Sequence, residues 1–395
     1  MKKIYLYALA LCLALCGCYN SKSTSSNKTD NSENIINETS AFQSDNRLEE
    51  SEISLLEHIK AIPSIVLCYE ITDSKFLICT ENNNKYSVYT IDTISGIKSE
   101  EIICDVIPQC ENSGFWTLIA NNNDGMTISS AMSEDKFCEA QIYDYNMNNV
   151  ATIPLLNSIN ADDFDVDIDS KRVVYSLNEQ TNDGNYVYRL NMTDYSFANH
   201  KTIYETALTN PPILAGMDTL HICDNEIIFL GGYSSNTNSQ SVRSYGKVPI
   251  NTGNPEYTYR NDSYGYAVSV YENGAYIYEC DYPYGVVSSG KCINIQNGTE
   301  YEISLENTME SLNISASKNG SYFTTAITGK NQNDSTLIRI TVYGADGNII
   351  KFFDIEYESG KNESIDSVYL FEENKTVYLK TLSAGGNENW YEFAF

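Results

Sequence analysis

The sequence predicts an all-β protein, and more specifically a seven-bladed β-propeller of four-stranded antiparallel blades. Three observations lead to this prediction. A polar turn that feeds a short β-branched and aromatic run, such as "IDSKRVVYS" at 168–176, recurs along the chain. The turns fall near residues 73, 123, 169, 224, 273, 319 and 373, a spacing of about 50 residues. No repeat shows the apolar period of a helix, and four short strands per repeat are typical of propeller blades.

Each repeat begins with a turn of Asp, Asn, Gly or Ser, residue types that tolerate the backbone angles of tight hairpins. Val, Ile, Tyr and Phe follow, and these side chains suit a pleated, packed surface. Further copies of the pattern are "ITDSKFLIC", "YENGAYIYE", "SKNGSYFTTA" and "FEENKTVYLK". A single blade cannot bury both of its faces, so we expect the repeats to close into a ring.

The last repeat ends early, at "NWYEFAF" (389–395), without a fourth strand. The segment "SEISLLEH" (51–58) is similar to "EYEISLEN" (300–307), which occupies a fourth-strand position. We therefore expect an N-terminal strand to complete the last blade and remove its exposed edge.

The turn phrase "DSKRVVYS" resembles the repeats of TolB-type and WD-type propellers, in which Asp-Gly-Lys and a hydrophobic residue stand at this turn. The resemblance extends over the whole repeat region, although most copies have Asp-Ser or Asn-Gly instead of Asp-Gly. It implies the fold, and it leaves the function open because propellers have many functions.

The first residues resemble a bacterial lipoprotein signal. Lys2 and Lys3 precede an apolar run that is too short to span a membrane comfortably, and the run ends in Leu15-Cys16-Gly17-Cys18. The resemblance implies that residues 1–17 are removed and that Cys18 receives the lipid. An ordinary cleaved secretory signal is the alternative. We expect a protein attached to the cell membrane that faces the extracytoplasmic side.

The following segment, residues 18–50, is rich in Ser, Asn, Thr and charged residues and has little to bury, so it predicts a disordered tether. A tether of this length reaches roughly 30 Å. The propeller domain is expected to occupy residues 51–395.

The composition limits the partners. The formal net charge is −28, with 25 Lys and Arg against 53 Asp and Glu, so the surface repels nucleic acid. We expect a monomer without a cofactor. The turn at Asp73-Ser74 would place Cys68 opposite Cys79, which allows either a cross-strand disulfide or two buried thiols.

An acidic run lies on the predicted innermost strand of the third blade. Asp163, Asp165 and Asp167 alternate with apolar residues and would share one face. Such carboxylates either line a water-filled channel or hold a cation such as calcium.

Catalytic motifs are lacking from the sequence. It contains no Gly-x-Ser-x-Gly elbow, and we place His58, His200 and His221 in an outer strand, a loop and an inner strand. A pair of carboxylates that cleaves sugars stays an alternative, because the chain is rich in Asp and Glu.

A binding face is predicted from the connections. In a four-stranded blade, the second-to-third and fourth-to-first connections share one face of the ring, here called the loop face. The other two turns share the opposite face, here called the turn face. The connections of the loop face are expected to be the longer ones, and such connections usually carry binding residues. Exposed tyrosine side chains can bind sugars and protein partners, and so can an arginine, which is a scarce cation in this acidic chain. The candidates are Tyr233, Arg243, Tyr264, Tyr266, Tyr282 and Tyr284.

The sequence thus predicts a membrane-anchored, non-enzymatic binding or scaffold propeller whose ligand is an envelope protein or a glycan. The alternative is an extracytoplasmic enzyme, acting on glycans, with its site at the centre of the ring.

Overall fold

The structure is a computed structural model. It describes residues 55–62, 64–82, 85–105, 117–122, 125–131, 138–155, 161–183, 186–196, 198–207, 217–234, 241–261, 264–281, 289–303, 309–330, 336–357 and 363–395. These residues form a short helix, α1 (Leu55–Lys60), and the strands β1 to β27. Within the same ranges, no helix has the length and apolar character needed to cross a membrane.

The strands form seven antiparallel sheets, called blades 1 to 7 in chain order. Blade 1 contains β1 (Ile65–Glu70), β2 (Lys75–Asn82), β3 (Lys85–Asp92) and β4 (Ile102–Asp105). Blade 2 contains β5 (Thr117–Asn122), β6 (Gly125–Ala131), β7 (Cys138–Asp144) and β8 (Asn149–Leu155). Blade 3 contains β9 (Ala161–Asp167), β10 (Arg172–Gln180), β11 (Tyr186–Asp194) and β12 (Lys201–Ala207). Blade 4 contains β13 (Met217–Cys223), β14 (Glu226–Ser234), β15 (Ser241–Pro249) and β16 (Glu256–Asn261). Blade 5 contains β17 (Tyr264–Tyr271), β18 (Gly274–Asp281), β19 (Ser289–Asn294) and β20 (Thr299–Ile303). Blade 6 contains β21 (Met309–Ala316), β22 (Tyr322–Lys330), β23 (Thr336–Gly344) and β24 (Ile349–Glu356). Blade 7 contains β25 (Glu363–Phe371), β26 (Thr376–Ser383) and β27 (Glu388–Ala394).

The blades close into a ring through their first strands. Within each blade, consecutive strands pair with each other, as a simple meander requires. The first strands of neighbouring blades contact each other at several junctions, including that between β25 of the last blade and β1 of the first. The predicted seven-bladed propeller is therefore confirmed, with four described strands in blades 1 to 6 and three in blade 7.

The core lies between the blades. The buried residues form seven clusters, and each cluster combines side chains from two neighbouring blades. Strand β10 shows why: Val173 and Tyr175 pack against blade 2, while the intervening Val174 packs against blade 4. Alternate side chains of a strand point to opposite faces, so a strand in a middle blade serves two clusters at once.

The junction of blades 7 and 1, here called the seam, contains a buried cation. Lys380 on β26 is 5% exposed. Its Nζ donates to the carbonyl of Ile65 at 3.0 Å and lies 3.0 Å from carboxylate oxygens of both Asp366 and Glu388. This ammonium therefore links blade 1 to blade 7 and lies between two carboxylates of blade 7, whose mutual repulsion it reduces.

A carboxylate crosses the seam in the opposite direction. Glu70, at the end of β1, accepts a hydrogen bond at 2.6 Å from the backbone N–H of Glu372 in the first turn of blade 7. Burial raises the pKa of Glu70 to about 7, and backbone hydrogen bonds from that turn counteract only part of the increase. The rings of Phe76 and Phe371, 5.2 Å apart, pack in the same junction.

The helix α1 also belongs to the seam. Leu55 and Ile59 lie four residues apart on one face of the helix and are buried in the cluster that contains Phe371 and Trp390. Residues 55–58, which we expected to be extended, are thus helical, and His58 lies in a helix and not in an outer strand. Residues 51–54 lie outside the described residues. Closure of blade 7 by an N-terminal strand is not confirmed.

The predicted pairing of Cys68 with Cys79 is wrong by one residue. Cys68 lies opposite Ile78, and Cys79 lies opposite Leu67. Glu70 and Phe76 are the last paired residues before the β1–β2 turn. This turn is therefore longer than the tight turn at Asp73-Ser74 that the prediction assumed. Cys68 consequently packs at the seam and Cys79 at the junction with blade 2, so the two buried thiols lie on opposite faces of the blade and form no disulfide with each other.

Candidate binding face

Two predicted binding residues lie together at the loop-face end of blade 4. Tyr233 is the penultimate residue of β14 and pairs with Val242 on β15. Arg243 is the third residue of β15 and pairs with Gly232. The connection that joins the two strands is 235–240, so both backbone positions border the same second-to-third connection.

Two further candidates lie on the neighbouring blade. Tyr264 and Tyr266 are part of β17 itself, where they pair with Asp281 and Glu279 on β18. They occupy the first residues of the strand and therefore border the loop face as predicted. Tyr282 and Tyr284 fall outside the described residues.

A buried polar network lies beneath this part of the loop face, and the sequence analysis did not identify it. Glu279, which is 2% exposed, accepts a hydrogen bond at 2.9 Å from the hydroxyl of Tyr245 on blade 4. Lys291 Nζ lies 3.6 Å from the same carboxylate and 2.9 Å from Glu300. The hydrogen bond between Tyr245 and Glu279 ties blade 4 to blade 5, and Glu279 is the residue that pairs with Tyr266, so the network stabilises the relative position of the two strands that carry the candidates.

The expected contrast in connection lengths holds only in part. The first-to-second turns are short, and 224–225 and 272–273 each have two residues. The connections 83–84 and 262–263 on the loop face are equally short, and 93–101 is a long connection on the turn face. The prediction that the connections of the loop face are the longer ones therefore fails at these three places, because blade geometry fixes the side on which a connection lies but not its length.

Three other tyrosines of blade 5 pack in the core. Tyr271, Tyr276 and Tyr278 are buried in one cluster with Phe323 of the next blade, and the rings of Tyr276 and Phe323 lie 4.6 Å apart. Three of the nine tyrosines between residues 257 and 284 consequently belong to the core between blades 5 and 6.

The acidic run lies on β9, the first strand of blade 3, as predicted. Asp165 is 8% exposed, and its Oδ2 accepts a hydrogen bond at 2.7 Å from the backbone N–H of Ile222 on blade 4. Asp167 accepts hydrogen bonds from Arg172 and Ser170. The side chain of Asp163 is not among those described. Both described carboxylates thus have protein partners, and no group of three or more His, Cys, Asp or Glu in the described ranges could hold a metal ion.

Asp165 also belongs to a Cys–His–Asp grouping. His221 Nδ1 lies 3.4 Å from Asp165 Oδ2, and its Nε2 lies 2.8 Å from the carbonyl oxygen of Tyr271. Burial lowers the pKa of His221, but hydrogen bonds to Asp165 and Cys223 and the charge on Asp165 outweigh this effect and raise it to about 10. The Nε2–H of His221 therefore donates to the carbonyl oxygen of Tyr271, and Nδ1 faces the carboxylate of Asp165, so this side chain on blade 4 connects blade 3 with blade 5.

The remaining described histidine outside the helix, His200, lies in the turn before β12, where its Nδ1 is 2.8 Å from the hydroxyl of Tyr175. Within blade 7, Glu363 accepts hydrogen bonds from the hydroxyls of Tyr357 at 3.0 Å and Tyr391 at 3.2 Å, and from Asn389 at 2.9 Å. These ionisable groups tie elements of the fold together.

No protein-family model matches the chain, and no curated protein matches it. Solved structures similar to it include the β-propeller domain of the Trilobed protease from Pyrococcus furiosus, with 10% identity and a TM-score of 0.47 over 83% of this chain and 92% of that chain. Oligopeptidase B from Trypanosoma brucei has 10% identity and a TM-score of 0.47 over 85% of this chain and 48% of its own. The oligogalacturonate lyase from Vibrio parahaemolyticus has 9% identity and a TM-score of 0.46 over 82% and 87%. At these identities and scores, the similarities say nothing about activity.

Proposed function

We propose that the protein is a lipid-anchored extracytoplasmic propeller that acts as a non-enzymatic binding or scaffold module, with its ligand site on the loop face of blades 4 and 5. The main support for this site is that four candidate residues lie at the same edge of two adjacent blades. They are Tyr233, Arg243, Tyr264 and Tyr266. Tyrosines and arginine at one edge suit a partner that offers sugar faces or carboxylates.

The geometry of the described ionisable groups supports a binding role. Asp165, His221 and Glu70 form hydrogen bonds between blades, and Lys380 connects the first and last blades. These groups hold a rigid ring, and a rigid ring can present side chains of separate blades in fixed positions. The proposed ligand is an envelope protein or a glycan.

The anchor is supported by the Leu15-Cys16-Gly17-Cys18 sequence. Replacing Cys18 with alanine is expected to move the protein from the membrane fraction to the soluble extracytoplasmic fraction, because the thiol that would carry the lipid is lost. Fractionation followed by immunoblotting measures this. A variant that stays in the membrane fraction as completely as the wild type would show that the anchor has been assigned to the wrong residue.

The loop-face site is tested by a Tyr233→Ser, Arg243→Ser, Tyr266→Ser triple variant. We expect it to lose at least roughly tenfold in affinity for the partner that the wild-type protein retains from a detergent extract of the envelope. The matched control is Tyr257→Ser with Tyr259→Ser, on the outer strand of blade 4. Equal affinity of the triple variant and the control would place the site elsewhere. Release of products from a glycan library by the wild-type protein would favour the enzyme instead.

A further inference from the structure

One turn of blade 1 exposes two large apolar side chains. Ile94 is 62% exposed and Ile97 is 68% exposed, both in the third-to-fourth turn between β3 and β4. Large apolar side chains that are exposed on one turn, here three positions apart, are commonly found where a protein meets an apolar partner. The turn lies on the turn face, away from the proposed ligand site.

The turn is rigidly built. Asp92 Oδ1 accepts hydrogen bonds from the backbone N–H groups of Ile94 at 3.0 Å and Ser95 at 2.9 Å. The N–H of Asp92 donates to the carbonyl of Ile97 at 3.0 Å, and Gly96 adopts a φ of 67° that closes the turn. The isoleucines are therefore presented on a fixed support.

Other blades show that the turn does not need isoleucine. In blades 2, 3 and 5 the last residue of the third strand is likewise an Asp or Asn, and its side-chain oxygen accepts the N–H of the residue two positions later. In each of those three turns the donating residue is polar: Asn146, Ser196 and Gln296. Ile94 takes this place in blade 1, so its apolar side chain has a cause other than the turn geometry.

The position of the N-terminal chain suggests what the isoleucines contact. Leu55, the first described residue, is buried at the seam in the cluster that contains Phe76 of blade 1 and Trp390 of blade 7. The described part of the chain therefore begins at the seam, and blade 1 forms one side of it. We expect the tether predicted for residues 18–50 to reach roughly 30 Å, so the bilayer that holds the lipid stays within reach of this blade. Such tethering raises the effective concentration of the membrane for even a weak contact.

We propose that residues 94–97 of blade 1 insert Ile94 and Ile97 into the surface of the bilayer that holds the lipid on Cys18. The inference rests on the proposed anchor and adds the orientation of the propeller: blade 1 faces the membrane, and the ligand site of blades 4 and 5 lies away from it. The contact is apolar, because Lys98 forms an ion pair with Glu101 at 3.0 Å and lies 3.7 Å from the centre of the Tyr89 ring. A neutral bilayer therefore suffices.

The test places a fluorophore at the turn. Ile97→Trp is compared with Ile349→Trp, a matched control on blade 6 at which the native side chain is 63% exposed. The mature chain from residue 18 carries an N-terminal histidine tag and is held on phosphatidylcholine vesicles by a nickel-chelating lipid. This tether does not require lipidation of Cys18, so failure of the anchor and failure of the inference give different results.

Brominated lipid tails are expected to quench Ile97→Trp roughly threefold or more beyond the control, after the signal of the wild-type tryptophans is subtracted. Replacing Ile94 with serine in the Ile97→Trp chain should reduce the quenching, since half of the apolar contact is removed. Equal quenching at positions 97 and 349 would overturn the inference, as would a signal that disappears at high salt.

Discussion

Replacing Lys380 with methionine is expected to lower the free energy of unfolding by about 3–5 kcal/mol. The substitution keeps most of the side-chain volume, but it leaves the carboxylates of Asp366 and Glu388 facing each other without the ammonium that lies 3.0 Å from each. The carbonyl of Ile65 also loses its donor in a buried place. Denaturant unfolding followed by circular dichroism measures the loss.

The control for this change is Lys351→Met. Lys351 Nζ also donates to a backbone carbonyl of blade 7, that of Ala394 at 2.7 Å, but the side chain is exposed on the outer strand of blade 6. It should cost about 1 kcal/mol or less. A triple variant that adds Asp366→Asn and Glu388→Gln to Lys380→Met should recover part of the loss, because no unpaired charge remains. Similar losses for the two single lysine variants would show that burial of Lys380 is unimportant.

The second large effect concerns pH. We expect the free energy of unfolding to fall as the pH rises from about 6.5 toward 10, because His221 holds its proton in the folded state up to a pKa of about 10 and releases it near 6.5 when unfolded. The stabilisation is complete below the unfolded pKa and is lost through this window. Its upper limit is about 5 kcal/mol at 1.36 kcal/mol per pKa unit.

The matched variant is His221→Gln, which cannot titrate. Its stability should be lower than that of the wild type at pH 6.5, and the difference should shrink as the pH rises to 8.5. Measurements should stop there, because burial also raises the pKa of the Cys68 and Cys292 thiols, and ionisation of these thiols on unfolding adds a pH dependence of its own at higher pH. Parallel stability curves for the two proteins between pH 6.5 and 8.5 would contradict the role assigned to His221.

Periodicity explains why the architecture was predictable. Alternating strands such as β10 and polar turns such as 168–171 carry local signals, and local signals repeated seven times determine both the number of blades and their ring. The errors arose where a signal was short. Residues 55–60 fit a strand or a helix equally well by pattern, and burial of Leu55 and Ile59 against blade 7 decides for the helix.

The site was harder to predict for a different reason. The backbone positions of Tyr233 and Arg243 follow from strand order alone, so the sequence could place them at one edge. The partner of Asp165 is on the next blade, at His221, and no local pattern connects two residues so far apart in the chain. Likewise, the register of Cys68 depends on the conformation of one turn, and a one-residue difference moves the thiol to the opposite face.

The seam also determines the order in which the molecule can fold. Lys380 and Ile65 are separated by 315 positions, and Glu70 and Glu372 by 302, so these bonds close nearly the whole chain into one loop. During synthesis blade 1 emerges first, yet Phe76 and Cys68 must wait for Phe371 and Trp390 before their cluster is complete. We therefore expect closure of the seam, and with it the Lys380 contacts, to follow the rate-limiting step of folding. Changes at Lys380 should then accelerate unfolding and leave the folding rate nearly unaltered.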